Sequence, residues 1–115
     1  MSILNNEKKI QEVRKLLGEP TYIITDLAMS IGLIKAICLE KLYSLLNEKD
    51  AKIIADKRWV IMTYRQWKKQ IPFLSRATIQ RAFIELEKME VVLSEYKQGM
   101  FKSYTIDYEK MRSLL

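Results

Sequence analysis

The sequence predicts a mainly α-helical fold with a small β-hairpin, an α+β domain of the winged helix-turn-helix class, and three observations predict it. Two amphipathic helical patterns are separated only by the tight turn Pro72-Phe73-Leu74. An apolar run with the length of a buried strand, Trp59 to Met62, precedes the first of them. Two further strand-like runs follow the second helix and flank Gly99, as the strands of a wing would. Because 115 residues is the usual size of a single domain, we expect one domain over 1–115.

The N-terminal half predicts helices. An amphipathic helix is expected within residues 1–18, from about Asn6 to the stop signal Gly18-Glu19-Pro20, on the helical spacing of Ile10, Val13, Leu16 and Leu17. Thr21 to Thr25 suits a short strand, and Asp26 can cap a short helix that ends at Ser30. Gly32 then separates this helix from a longer one, Leu33 to Leu46.

The helix Leu33 to Leu46 is apolar on most of its circumference, because Leu39 and Tyr43 lie outside the main apolar face. Either it crosses the middle of the domain or part of it is a dimer seam. The single cysteine, Cys38, lies inside this helix and is expected to be a buried small hydrophobic side chain. The charged stretch Asn47 to Arg58 is expected to be a solvated connection or a frayed helix end.

Two capping signals define the helix-turn-helix. Thr63 and Gln66 match a capping box, so a helix begins at Tyr64, and Pro72 ends it. Ser75 is the N-cap of the second helix, whose apolar stripe is Ile79, Ala82, Phe83, Leu86 and Met89. The opposite face of the second helix is centred on Ala77, Arg81, Ile84 and Lys88, with Arg76, Thr78 and Gln80 beside it.

These side chains suit the DNA major groove. Arginine can donate two hydrogen bonds to guanine, glutamine can pair with adenine, and threonine can reach a phosphate or a thymine methyl group. The wing hairpin, with strands at Val91 to Leu93 and Phe101 to Ile106, would meet the DNA backbone. The residues that we expect to contact DNA are Ser75, Arg76, Ala77, Thr78, Gln80 and Arg81 on the second helix, Arg65, Lys68 and Lys69 on the first, and Lys97, Gln98 and Lys102 with Tyr96 at or near the wing tip.

The distribution of charge agrees with this assignment. The chain has 20 Lys and Arg against 14 Asp and Glu, a net charge of +6. Residues 59–84 hold five basic residues and no acidic one, so nearly all of the surplus falls on the two predicted helices. A basic surface of this kind favours a polyanionic partner.

Several runs resemble the winged-helix domain of Gram-positive phage and plasmid replication initiation proteins, including replisome organisers related to the DnaD N-terminal domain. The runs are Trp59 to Tyr64, Pro72 to Ser75, Thr78 to Arg81, Leu86 to Lys88 and Ser103 to Tyr108. The resemblance covers about Ile31 to Met111, and it implies that Ser75, Arg76, Thr78, Gln80 and Arg81 approach DNA. Two departures stand out: Glu90 occupies the position of a usual glycine after the second helix, and such proteins usually carry a further C-terminal domain.

Composition excludes several other functions. The chain has no histidine and only one cysteine, so the usual zinc sites and Ser-His or Cys-His chemistry cannot be built. We expect no enzyme, no cofactor, no metal and no membrane span, and a cytoplasmic location. The expected partner is double-stranded DNA, bound by a homodimer that acts in replication initiation or its control, with a possible replication or transcription machinery protein. The alternative is a winged-helix adaptor or inhibitor that needs no DNA, for which Leu39, Tyr43 and Ile84 would be the exposed apolar contacts.

Overall fold

The computed structural model describes residues 22–49, 51–97 and 101–115, so the helix expected in residues 1–18 lies outside the described residues. Within these ranges the chain forms five helices: α1 (Tyr22–Ile31), α2 (Leu33–Leu46), α3 (Tyr64–Gln70), α4 (Arg76–Lys88) and α5 (Tyr108–Ser113). The strands β1 (Lys52–Ile54), β2 (Lys57–Ile61), β3 (Val92–Lys97) and β4 (Phe101–Ile106) form one antiparallel sheet in the order β1-β2-β4-β3. This mixture of helices and a small antiparallel sheet confirms the predicted α+β class, and the succession α2, β2, α3, turn, α4, β3, β4 is consistent with a winged helix-turn-helix.

Helix α1 corrects two expectations. Thr21 to Thr25 was expected to form a strand, and Asp26 to cap a helix, but α1 already begins at Tyr22 and Asp26 is an exposed residue inside it. The β-branched residues around position 24 favour a strand locally. Tertiary packing overrides that preference, because Leu27 is fully buried and Ile31 packs against the core at the i, i+4 spacing of a helix. Gly32, at φ 92°, ends α1 as predicted.

The stretch Asn47 to Arg58 also differs from its prediction as a connection or frayed helix end. It contains a hairpin in which β1 pairs with β2, with Ile53 opposite Arg58. Its turn residues Ala55 and Asp56 both adopt left-handed backbone, at φ 50° and φ 66°. Two-residue hairpin turns of type I′ require positive φ at both positions and usually signal it with Asn-Gly or Asp-Gly. Since Ala-Asp carries no such signal, the sequence did not reveal the hairpin.

Helix α2 is the central helix of the domain. It packs against α1, α4, β2 and β4, and the buried side chains on it are Ala36, Cys38, Leu39, Leu42 and Leu46. The helix therefore crosses the middle of the domain, as one of the two interpretations predicted, and the dimer seam stays a prediction. Leu39 is fully buried, so it cannot be an exposed contact of an adaptor as the sequence suggested. Cys38 is buried as predicted, and burial raises the pKa of its thiol to about 11.

Three aromatic rings join the helix-turn-helix to the wing. Trp67 of α3, Phe83 of α4 and Tyr104 of β4 are all fully buried. The Trp67 ring centroid lies 4.5 Å from that of Phe83 and 5.5 Å from that of Tyr104. Because each ring belongs to a different element, this cluster fixes α3, α4 and β4 relative to one another. Among the described residues, the helices are all too short or too polar to cross a lipid bilayer.

Helix α4 ends in a Schellman motif that lacks its usual glycine. The N–H of Val91 donates to the backbone carbonyl of Leu86 at 3.2 Å, and the N–H of Glu90 donates to the backbone carbonyl of Glu87 at 3.0 Å. Glu90 occupies the left-handed position, at φ 64°. A side chain there is strained, because its Cβ crowds the following carbonyl oxygen.

We expect Glu90→Gly to stabilise the protein by about 0.5 to 1 kcal/mol, since glycine adopts positive φ without strain. Urea denaturation followed by circular dichroism measures this change in the free energy of unfolding. Lys88→Gly, inside the last turn of the same helix, is the control and should destabilise by about 1 kcal/mol. A destabilised Glu90→Gly variant would contradict the strain at this position.

Candidate nucleic-acid interface

Helix α3 begins at Tyr64 as predicted, because the capping box is complete. The Gln66 backbone N–H donates to Thr63 Oγ1 at 3.1 Å, and the Thr63 N–H donates to Gln66 Oε1 at 2.9 Å. The buried face of α3 carries Trp67, and its exposed residues include Arg65 and Lys69. These two cations stand four residues apart, so they share one side of the helix and face solvent together.

Helix α4 presents the surface that the sequence predicted. Ser75 caps it, since its Oγ accepts from the Thr78 N–H at 3.1 Å and donates to Thr78 Oγ1 at 2.8 Å. Ile79, Ala82, Phe83 and Leu86 are buried, whereas Arg76, Ala77, Gln80, Arg81, Ile84 and Lys88 are exposed. The first two turns therefore offer two guanidinium groups and one amide to solvent, beside the small side chain of Ala77. The serine and threonine hydroxyls are engaged in the cap.

Lys68 has a role in the turn that the sequence did not reveal. Its Nζ donates to the carbonyls of Pro72 at 2.8 Å and Leu74 at 2.6 Å, so the ammonium holds the turn between α3 and α4. Helical spacing placed it beside Lys69 among the DNA contacts. A lysine stem is long enough to fold back onto backbone carbonyls, which a helical wheel does not show.

We expect Lys68→Met to lower the free energy of unfolding by about 1 to 2 kcal/mol, because two charge-assisted hydrogen bonds are lost. Lys69→Met is the matched control, since this exposed neighbour should change stability by less than about 0.5 kcal/mol. Thermal and urea denaturation of the two variants makes the comparison. Equal stability of the two would show that the Lys68 ammonium does not hold the turn.

The wing places its predicted contacts in two different environments. The strands pair Tyr96 with Lys102 and Lys97 with Phe101, and the tip that follows includes Gln98, which lies outside the described residues. The backbone of Lys97 is in β3. Tyr96 is 67% exposed, whereas Lys102 is only 9% exposed and its Nζ lies 2.6 Å from Glu87 Oε1. Lys102 is thus close to the tip in sequence but turned toward α4.

The negative charge of Glu85 on α4 is offset by an ion pair with Lys35. Glu85 follows the acid-free stretch, and its Oε2 lies 2.8 Å from Lys35 Nζ of α2. This hydrogen bond, together with the lysine charge, holds the pKa of Glu85 below its usual value. The carboxylate nearest to Arg81 along the helix is therefore already paired with a cation, and it opposes a bound phosphate less than an isolated carboxylate would.

A groove of about 630 Å³ runs beside this surface, and sequence reasoning missed it. Its walls are the α1–α2 junction, residues 31–35, and the side of α4 that carries Thr78, Arg81 and Glu85. Leu33 is 59% exposed and Ile34 43% exposed at its margin. The sequence shows that Leu33 and Ile34 are apolar, but it does not show that they are exposed beside a groove.

No family model, curated protein or solved structure matches this chain. The resemblance to the winged-helix domain of phage and plasmid replication proteins therefore stays a prediction, as do the residue roles that it implies. In the part of the chain that the structure describes, acidic and cysteine side chains form no cluster of three or more able to hold a metal ion. What defines the candidate site is its own geometry: a helix-turn-helix with an exposed basic face.

Proposed function

We propose that this protein binds double-stranded DNA in the cytoplasm, with α4 in the major groove and the wing against the adjacent backbone. The observation that carries the proposal is the exposed face of α4, where Arg76, Gln80 and Arg81 stand together on the side of the helix opposite its buried residues. Arginine and glutamine are the side chains that read guanine and adenine in that groove.

Three further features support this proposal. Arg65 and Lys69 of α3 are exposed and can approach phosphates. The Ser75 cap takes the Thr78 N–H, and the Arg76 and Ala77 N–H groups before it have no acceptor four residues earlier, so the helix start favours a phosphate. Residues 59–84 contain no acidic side chain that would repel the DNA backbone.

The biological role that we propose is replication initiation or its control, or the regulation of transcription, by occupation of a DNA site. A single winged helix contacts only a few base pairs, so useful specificity favours two copies on neighbouring half-sites. We therefore propose a homodimer. A replication or transcription machinery protein is a possible further partner.

An electrophoretic mobility shift with a duplex selected from a random library tests the proposal. With about four to six phosphate contacts, the logarithm of affinity should fall against the logarithm of salt concentration with a slope of about −4 to −5. Absence of any duplex complex, or a complex insensitive to salt, would reject DNA binding.

The second candidate function is a protein-interaction adaptor, and the groove beside α4 favours it. Exposed Leu33 and Ile34 at the groove margin could contact an apolar segment of a partner without any DNA. Charge reversal of Arg65 and Arg76, neither of which lines the groove, separates the two functions. It should abolish duplex binding, whereas an adaptor would keep its activity.

A further inference from the structure

One partly buried ion pair connects α4 to the wing. Glu87 in the last turn of α4 contacts Lys102 of β4, with 2.6 Å between Oε1 and Nζ. The two side chains are only 25% and 10% exposed. The same Nζ lies 5.6 Å from the ring centroid of Tyr96 on β3 and 5.2 Å from that of Tyr104 on β4. One ammonium group therefore contacts the helix and both strands of the wing.

The position of this pair along the hairpin matters. Lys102 pairs with Tyr96 in the sheet register, one step from the last described pair, Lys97 and Phe101, before the tip. At the other end of the hairpin, Val92 and Ile106 lie in the core. The core thus holds the base of the wing, and the Glu87–Lys102 pair holds its outer part against α4.

The charged state of Lys102 agrees with this geometry. Burial opposes the charge, but the ion pair with Glu87 and the neighbouring Tyr64 and Tyr96 outweigh it, so the pKa of Lys102 is raised. A buried ion pair is a weak source of net stability, since desolvation offsets most of the attraction. Such pairs can instead select one geometry among several.

We infer that Glu87 and Lys102 form a strut that sets the angle of the wing on α4, and that Lys102 influences DNA affinity by positioning the wing. This inference rests on the proposed DNA binding. The wing angle decides whether the outer ends of β3 and β4 approach the DNA backbone while α4 lies in the major groove. Glu87 is thereby a positioning residue for DNA binding, although its charge has the same sign as DNA.

The decisive variant is Glu87→Gln, because a strut and a direct phosphate contact predict opposite effects. If Lys102 touched DNA, removal of the competing carboxylate would strengthen binding. A strut predicts that Glu87→Gln and Lys102→Met both weaken binding about tenfold and lower the salt slope by about 1, as wing contacts to phosphate are lost. Glu85→Gln is the matched control, since it removes one acidic charge from the same helix without touching the wing. It should leave affinity unchanged or raise it.

Hydroxyl-radical footprinting adds a measurement that a general loss of structure would not reproduce. The strut variants should lose protection at the flank under the wing and keep it at the centre, where α4 lies. If a single variant fails to fold, the exchanged pair E87K/K102E decides the matter. A strut keeps affinity within about threefold, because the opposite charges still meet, whereas a direct contact loses binding since a carboxylate replaces the lysine.

The outcomes separate this inference from the proposed function. If the wild-type protein binds no duplex, DNA binding itself is rejected. If the wild-type protein binds and Glu87→Gln behaves like Glu85→Gln, the strut is overturned. Loss of wing protection in both Glu87→Gln and Lys102→Met supports the strut.

Discussion

Replacement of both Arg76 and Arg81 with alanine is expected to weaken binding to the selected duplex about 100-fold. Each arginine is exposed on the first two turns of α4, where no residue of the core competes for its guanidinium group. A base-reading arginine contributes about 1 to 3 kcal/mol to the binding free energy. A loss of about 1.4 kcal/mol lowers affinity tenfold, so two independent losses of this size lower it about 100-fold. Mobility shifts at one fixed salt concentration measure it.

A control must remove the same charge elsewhere. Lys110 and Arg112 are exposed on α5, which follows the end of β4 opposite the wing tip. The double variant Lys110→Ala and Arg112→Ala should reduce affinity less than about threefold, through long-range attraction alone. Equal losses in the two double variants would mean that net charge, and not the face of α4, governs binding.

The single variants distinguish the kind of contact that each arginine makes. A guanidinium that reads a base loses discrimination at one position of the site when it is removed. A guanidinium on phosphate weakens all sequences alike and lowers the salt slope by about 1. Repeating the selection with each single variant identifies the base position that loses its preference. Retained affinity in Arg81→Ala would place the recognition surface elsewhere.

The helix-turn-helix was predictable because its signals are local. The capping box at Thr63, the cap at Ser75 and the apolar stripe of α4 each specify a helix start or face within a few residues. The exposed face of α4 followed from helical periodicity alone, since four of the five residues on the opposite stripe are buried and the fifth, Met89, is partly buried against the core.

The predictions that were wrong involve contacts between residues far apart in sequence, or turns that carry no sequence signal. Helix α1 forms against β-branched propensity because Leu27 gains a place in the core, and the β1–β2 hairpin turns on Ala-Asp instead of a glycine. Lys68 and Lys102 illustrate a further limit. Their charge predicts exposure, but long side chains can reach partners such as the Leu74 carbonyl or the Glu87 carboxylate. Only the folded arrangement of the elements shows which lysines are engaged.

Trp67→Ala is expected to have the largest effect on stability, a loss of about 3 to 5 kcal/mol. The indole is fully buried between Phe83 and Tyr104, so its removal leaves a cavity where α3, α4 and β4 meet. Domains of this size are stable by about 5 to 15 kcal/mol, so a large share of the total is lost. Urea denaturation followed by circular dichroism measures the change.

The second tryptophan provides the matched control. Trp59 of β2 is only partly buried, so Trp59→Ala should cost about 1 to 2 kcal/mol, well below the cost at position 67. Trp67→Phe should fall between the two, because a smaller ring still contacts Phe83. Since the cluster orients α4 and the wing together, Trp67→Phe should also weaken DNA binding in molecules that remain folded. If Trp59→Ala and Trp67→Ala cost the same, the three-ring cluster does not hold the helix-turn-helix to the wing.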